Sequence, residues 1–249
     1  MRLALRRRGR GLGLSIGLAM SEDDVRATWQ CASLLICYPD DELLARLPLL
    51  TDVARRLPPA CGEPLERLAS ALAAGDVEEL RRDYVATFDY TRRCAPYLTY
   101  VGYGDTRERG AALVRIKQAY RRHGVRLLDD DAELPDHLAV VLEFGATADL
   151  AAGAKLLLDH RAAVEVLRLA LLDAGSRWAD AVVAVCATLP PLAGDEMDAV
   201  ARLVQDGPPR EDVGLAPYAI DPRLNPHPAD DATWRQASAS PDFREGARP

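Results

Sequence analysis

Four side chains capable of metal binding or acid–base chemistry lie within 11 residues of each other: Glu133, Asp136, His137 and Glu143. Carboxylates and imidazoles serve as metal ligands and as general acids or bases, so a metal-dependent enzyme is one hypothesis. Glu133 and His137 are four residues apart, but Pro135 breaks the helix that would align them, and no H-E-x-x-H motif is present. The alternative is structural, with Asp136 capping a helix and His137 hydrogen-bonding to the cap. We expect no metal site.

The remaining reactive residues form no catalytic constellation. The five cysteines are scattered, without a C-x-x-C pair, and are typical of buried apolar thiols. The sequence also contains no G-x-S-x-G, P-loop or G-x-G-x-x-G motif. His123 is predicted at a helix C-terminus and His160 in the core. We therefore predict that the chain is not an enzyme and that it needs no cofactor.

Aromatic residues are concentrated in one stretch of the chain. Six of the 14 lie between positions 84 and 103, and acidic residues stand beside them. Such a mixture suits a groove that holds the apolar face of a basic amphipathic peptide. Tyr84 and Phe88 are spaced i, i+4, however, and this spacing equally favours two core residues on one helix.

Helical periodicity runs through most of the chain, from Asp23 to about position 205, and no alternating run indicates a strand. Pro48 is expected to bend or split the second helix, and the aromatic stretch 92–105 is expected to be a loop or a broken helix. Other predicted helices span about 63–74, 77–89, 106–123, His137 to 149, 155–189 with a break at Gly175, and 195–205. The fold class predicted is all-α, a single compact domain of about eight to ten helices.

Both ends of the chain differ from the helical domain, which we place at 21–206. Residues 1–20 are basic, and Met20 directly precedes a capping box at Ser21–Asp24, so we interpret them as an over-extended start, with a targeting segment or a basic arm as alternatives. Residues 207–249 hold 8 of the 17 prolines and few aliphatic residues. We expect a mostly disordered tail there.

Charge and hydropathy exclude several classes of protein. The net charge is −7; five of the 31 basic residues lie in the first 20 positions, so 26 basic and 38 acidic residues remain and give the rest −12. An acidic protein of this kind is not a general nucleic-acid binder. No uncharged apolar run reaches the roughly 18 to 20 residues that span a bilayer. The odd cysteine count favours a reducing compartment, and we predict a cytoplasmic protein.

Three short motifs resemble those of one family, in the same order. Asp83–Asp89 (DYVATFD) is similar to its Y-x-x-x-F-D segment, Gly104–Gly110 (GDTRERG) to its H-G-[DE]-[ST]-R-x-R-G stretch, and ELPDHL at 133–138, followed by Leu142 and Glu143, to its E-L-P-D-H-L…L-E signature. The family is the nitrate reductase molybdenum cofactor assembly chaperones, or nitrate reductase delta subunits, within the redox-enzyme maturation chaperones. The similarity runs from about Trp29 to Leu203, and Tyr103 departs from it where many members have histidine.

The resemblance implies an all-helical, non-catalytic chaperone. Its partner would be the apo catalytic (alpha) subunit of respiratory nitrate reductase, bound chiefly through the N-terminal peptide of that subunit. The chaperone would keep the subunit competent for molybdenum cofactor insertion, with cofactor biosynthesis proteins as further partners, and would not stay in the finished membrane complex. An interaction module for another molybdoenzyme or an unrelated client is the alternative.

The resemblance also assigns residues to peptide binding. These are Tyr84, Phe88 and Asp89 on a helix lining the groove, Glu133, Pro135, Asp136 and His137 in the signature loop, Glu143, and Arg107 and Arg109, which contact the client or pair with Asp136. We expect apolar anchors of the client to meet Tyr84 and Phe88, and its basic residues to meet Asp89, Asp136 or Glu143. Protonation of His137 near neutral pH would then change the affinity for the client.

Overall fold

Eleven α-helices and one short 3-10 helix make up the part of the chain that the computed structural model describes, residues 20–127 and 133–206. They are α1 (Glu22–Leu35), α2 (Asp41–Ala54), α3 (Pro59–Ala74), α4 (Val77–Phe88), the 3-10 helix (Arg92–Cys94), α5 (Leu98–Tyr103), α6 (Arg107–Arg122), α7 (Leu138–Thr147), α8 (Leu150–Asp159), α9 (Arg161–Asp173), α10 (Ala179–Ala187) and α11 (Gly194–Asp206). These residues contain no strand, which confirms the all-α prediction. The predicted basic extension up to residue 19 and the predicted tail from residue 207 lie outside them.

Short polar side chains begin four of the helices. Ser21 accepts a hydrogen bond from the Asp24 N–H. At the starts of α2, α4 and α8, the side chains of Asp40, Asp76 and Asp149 each accept a hydrogen bond from the backbone N–H of the residue three positions later. Each bond satisfies a backbone donor that the first helical turn leaves unpaired. The caps at Ser21, Asp40 and Asp76 agree with helix starts expected from the sequence, whereas the start of α8 at Asp149 was not predicted.

The helices agree with the prediction in the aromatic stretch and differ from it at His160, and Pro48 was expected to bend or split α2. His160 separates α8 from α9 within the long predicted segment 155–189, with its Nδ1 atom 3.0 Å from the Leu156 carbonyl oxygen. The aromatic stretch is a broken helix, because the 3-10 helix and α5 both lie in it. Pro48 does not split α2, which is continuous from Asp41 to Ala54. The breaks bring the number of α-helices to one above the expected range.

The core is built around α1, which packs against α7, α10, α2 and α3. Trp29 on α1 is fully buried, and its Nε1–H donates to Thr188 Oγ1 over 2.8 Å. Gly145 on α7 and Gly153 on α8 pass so close that a Cβ atom on Gly153 would lie 2.4 Å from the Gly145 Cα atom. Trp29 and these two glycines thus allow α1, α7 and α8 to pack closely together.

In the described residues, no helix combines sufficient length with sufficient apolar character to span a membrane.

Candidate functional site

A cleft of about 170 Å³ opens where four helix ends converge. Residues that follow α1 and residues at the C-terminal end of α4 form one side, and residues that precede α5 and α7 form the other. The lining residues are Cys37, Tyr38, Tyr84, Phe88, Asp89, Pro96, Tyr97, Glu133 and His137. Five of them, Tyr84, Phe88, Asp89, Glu133 and His137, belong to the predicted peptide-binding set.

A short antiparallel bridge between Tyr97 and His137 forms the back of the cleft. The Leu98 N–H donates to the Asp136 carbonyl oxygen over 2.9 Å, and the Leu138 N–H donates to the Pro96 carbonyl oxygen over 2.8 Å. The Tyr97 and His137 rings meet edge to face, with centroids 5.3 Å apart. Two segments 40 residues apart in sequence are thereby joined just before their helices begin.

Asp136 lies behind this bridge and is fully buried. Its Oδ2 atom accepts hydrogen bonds from the backbone N–H of Thr99, over 3.2 Å, and from the Thr99 hydroxyl. Arg109 Nη2 lies 3.7 Å from the same oxygen. The prediction that basic residues of a client meet Asp136 is therefore wrong, because burial removes this carboxylate from any client.

Arg109 connects α6 to the segments that carry the cleft. Besides Asp136, it pairs with Asp105 over 3.4 Å, and its guanidinium lies 5.6 Å from the Tyr97 ring centroid and 5.4 Å from that of Tyr100. The predicted internal pairing of Arg109 with Asp136 is thus confirmed. Arg107 is exposed on the first turn of α6 and does not line the cleft.

Pro135 and Glu143 also lie outside the lining. Pro135 is buried, and its carbonyl oxygen accepts a hydrogen bond from the Tyr120 hydroxyl over 2.6 Å, which fixes the signature loop to α6. Glu143 is half-buried on α7. Its negative charge acts on the cleft residue Cys37. Burial, together with the charges of Glu143 and Glu133, raises the pKa of the Cys37 thiol to about 12.

His137 is the N-cap of α7. Its Nδ1 atom accepts a hydrogen bond from the Ala139 N–H over 3.1 Å, and the side chain is buried. This bond assigns the ring proton to Nε2, and burial lowers the pKa of the imidazole below its ordinary value of 6.5. Asp136 does not cap α7; its Oδ2 atom instead accepts the Thr99 N–H in the first turn of α5, so the expected cap by Asp136 is found at that helix. The direction of the shift also contradicts protonation of His137 near neutral pH.

Tyr84 and Phe88 take different roles. Phe88 is only 5% exposed, and its ring centroid lies 5.6 Å from that of Trp178, so it belongs mainly to the core. Tyr84 is half-buried, donates its hydroxyl to the Ile36 carbonyl oxygen over 3.2 Å, and meets the exposed Tyr38 edge to face at 5.4 Å. Tyr84 and Tyr38 therefore form an aromatic wall of the cleft.

The cleft is electrostatically negative. Asp89 and Glu133 are exposed at its rim, and none of the described residues lining it is lysine or arginine. The pKa of Tyr84 and that of Tyr97 are raised, first by burial and further by Glu133 and Asp89. The Tyr97 hydroxyl donates to Glu133 Oε1 over 2.8 Å and holds that carboxylate in place.

Sequence reasoning missed three lining residues, Cys37, Tyr38 and Pro96, and it included Tyr97 only among the clustered aromatics that suit a groove. Tyr97 lies in the aromatic stretch, and Cys37 and Tyr38 directly follow the C-cap of α1. The sequence does contain a signal for these residues: Cys37 and Tyr38 directly precede Pro39, Tyr97 directly follows Pro96, and a proline of this kind is typical of a helix end. Nothing in the sequence indicates, however, that these two ends lie side by side.

The described residues contain no group of three or more histidine, cysteine, aspartate or glutamate side chains that could hold a metal ion. Of the predicted candidates, Asp136 Oδ2 accepts from Thr99, and His137 Nδ1 accepts from Ala139. The geometry does not favour the metal-enzyme hypothesis.

Comparison with protein families gives a match over residues 54–184 to the model described as nitrate reductase delta subunit. This range includes all three sequence motifs and every lining residue except Cys37 and Tyr38.

Three curated relatives were also found. Nitrate reductase-like protein NarX of Mycobacterium tuberculosis strain H37Rv is 38% identical over 160 residues, 64% of this chain and 24% of NarX. The chain thus spans about a quarter of the length of NarX. NarJ of Bacillus subtilis strain 168 is 35% identical over 137 residues, 53% of this chain and 72% of NarJ. NarJ of Escherichia coli K12 is 28% identical over 150 residues, 59% of this chain and 63% of that protein.

Both NarJ proteins carry the name of a nitrate reductase molybdenum cofactor assembly chaperone, not of an enzyme. This agrees with the prediction of a non-catalytic protein. Among solved structures, a crystal structure described as a redox enzyme maturation protein from Archaeoglobus fulgidus matches with a TM-score of 0.50. It is 23% identical, and the match covers 72% of this chain and 96% of that one. The two proteins share a fold.

Proposed function

This chain belongs to the nitrate reductase delta subunit family, and on that premise we propose that it is an assembly chaperone for a respiratory nitrate reductase. Its client is the catalytic (alpha) subunit before the molybdenum cofactor is inserted. The chaperone binds the N-terminal peptide of that subunit, keeps the subunit competent for cofactor insertion, and leaves before the membrane complex is complete. The chaperone acts in the cytoplasm, where cofactor biosynthesis proteins are its further partners.

The observation that carries this proposal is the cleft at the four converging helix ends. Its walls combine the exposed carboxylates of Asp89 and Glu133 with the rings of Tyr38, Tyr84 and Tyr97. Aromatic rings give a peptide a large contact area at low entropic cost, and carboxylates select basic segments. The helical domain, residues 21–206, carries the whole of this site.

The buried members of the predicted set serve the cleft indirectly. Pro135, Asp136 and Arg109 bind the signature loop to α5 and α6, which holds Glu133 and His137 at the cleft. A small site of this kind suits a transient complex, because limited buried area gives modest affinity and rapid release. Rapid release matches a chaperone that must leave its client.

The test is cofactor loading of the client. The catalytic subunit is expressed with and without the full chain in cells that make the molybdenum cofactor, and its molybdenum content is measured by mass spectrometry. We expect the chain to raise the molybdenum content severalfold and to co-purify with the molybdenum-free subunit but not with the loaded one. Equal molybdenum content with and without the chain would contradict the proposal, and capture of a different molybdoenzyme would reassign the client.

A further inference from the structure

We propose that the cleft binds the guanidinium group of a single arginine side chain of the client. This inference rests on the proposed function and names the chemical group recognised at the same site. It differs from the sequence-based expectation, in which apolar anchors fill the groove.

The size of the cleft limits its occupant to one side-chain group. An α-helix with its side chains is about 10–12 Å across, so a helix cannot enter a space of about 170 Å³. A protein cavity of roughly 150 Å³ holds one benzene molecule. A planar guanidinium with part of its alkyl stem is of comparable size, and the rest of the peptide would then lie across the rim.

The charges at the rim favour a cation. Asp89 and Glu133 both face the cleft, and an apolar occupant would strip water from two carboxylates without replacing the lost hydrogen bonds. His137 adds no positive charge, because its Nδ1 atom already accepts the Ala139 N–H. A guanidinium supplies both hydrogen-bond donors and opposite charge to these carboxylates.

In the unbound protein, the position of Asp89 is unfavourable for stability. Asp89 is the C-cap of α4, where the negative end of the helix dipole repels a carboxylate, and the last turn of α4 contains no basic residue. A cation bound beside Asp89 would relieve that repulsion. The residue therefore contributes more to a cation-bound state than to the empty one.

The aromatic walls favour arginine over lysine. A guanidinium stacks on tyrosine rings and also donates to carboxylates in a planar fork, which an ammonium group cannot do. The protein already contains such a contact, since the Arg109 guanidinium lies over the Tyr97 ring at 5.6 Å. Tyr97 in turn orients Glu133 through its hydroxyl. The cleft thus combines the two features that recognise arginine.

The test is a double-mutant cycle between cleft and peptide. The full chain is titrated calorimetrically with a synthetic peptide of the first 30 or so residues of the cognate catalytic subunit. Each arginine of the peptide is replaced in turn by citrulline, which keeps its shape and removes its charge. The chain variants are Asp89→Asn, Glu133→Gln and both together, and Glu108→Gln is the control, an exposed acid on α6 that does not line the cleft.

We expect one citrulline replacement to weaken binding to the wild-type chain roughly ten- to a hundredfold, the range for a lost charged hydrogen bond. The same replacement should have little further effect on the double variant and its full effect on the Glu108→Gln control. In the Glu133→Gln variant the new amide oxygen can still accept the Tyr97 hydroxyl, so the cleft keeps its shape.

Two results would overturn the inference. In the first, the peptide binds, but every citrulline peptide binds the wild-type chain as tightly as the arginine peptide does, or a citrulline replacement weakens binding to the double variant as much as binding to the wild-type chain. The cleft then does not recognise arginine, and the proposed function stands. If no client peptide binds the wild-type chain at high micromolar concentration, both the inference and the proposed binding segment are wrong.

Discussion

Within the E-L-P-D-H segment, burial separates residues that face the cleft from residues that hold it together. Glu133 is exposed at the rim, whereas Pro135, Asp136 and His137 are buried and bonded to Tyr120, Thr99 and Ala139. Substituting the buried members would change stability and binding together. Glu133 and Asp89 are exposed at the rim, so they allow the binding chemistry to be changed while the fold is kept.

His137 gives the protein a stability that depends on pH. In the folded state, burial lowers its pKa below the unfolded value of 6.5, so the unfolded chain takes up a proton more readily. This contribution is fully present above pH 6.5 and is lost as the pH falls from there to the lower folded-state pKa. We expect the wild-type free energy of unfolding to fall between about pH 7 and pH 5.5, by at most about 1.4 kcal/mol per pH unit from this residue.

The matched variant is His137→Asn, since asparagine caps helices but does not titrate. Urea unfolding of both proteins across this pH range isolates the contribution of His137, because the other histidines contribute equally to each. If the two proteins lose stability in parallel, His137 is not held neutral by burial.

Among the helices, the close approach of α1, α7 and α8 depends on two glycines. A Cβ atom on Gly153 would lie 2.4 Å from the Gly145 Cα atom and 3.2 Å from Trp29 Cζ3. Backbone cannot move aside as a side chain does, so we expect Gly153→Ala to destabilise the protein by about 1–3 kcal/mol in urea unfolding, as overpacking does. The gain in helix propensity offsets only part of this cost.

Gly110→Ala is the control for this prediction. Gly110 lies inside α6, and a Cβ atom there would meet nothing within 4 Å. Alanine at this position should leave stability unchanged or raise it by up to about 1 kcal/mol. Equal stability of the two variants would show that α7 and α8 are not packed as closely as described.

The helices were predictable because their signals are local. Asp40 and Asp76 mark the starts of α2 and α4, and helical periodicity excludes strands, whereas Asp149 was predicted as a helix end and instead caps the start of α8. The break at His160 was not predictable, because apolar residues continue across it with helical spacing. There the packing of α8 and α9 against different neighbours overrides local propensity.

At the scale of the whole molecule, the candidate site depends on contacts between distant parts of the chain. The bridge between Tyr97 and His137 and the packing of α1 against α7 join segments separated by 40 or more residues. Sequence motifs identified Tyr84, Asp89 and Glu133 through a family resemblance, but spacing alone could not place them in one cleft. For the same reason, Asp136 was expected at the surface although its partners, Thr99 and Arg109, bury it.

The chain as a whole is acidic, and two of its carboxylates, Asp89 and Glu133, line the cleft. A net charge of −7 attracts basic segments over a distance of about a Debye length, and Asp89 and Glu133 then act at contact. A client segment with basic residues is thus favoured both in encounter and in binding.

Photo-crosslinking from the cleft tests the central claim, that the client's N-terminal segment binds there. Benzoylphenylalanine replaces Tyr38, which is 44% exposed on the cleft wall, or Val114, which is 53% exposed on α6 outside it, in the full chain expressed with the catalytic subunit. The account predicts a crosslink from position 38 to the N-terminal segment and none from position 114. Crosslinks from position 114 alone, or from position 38 to another part of the subunit only, would contradict it.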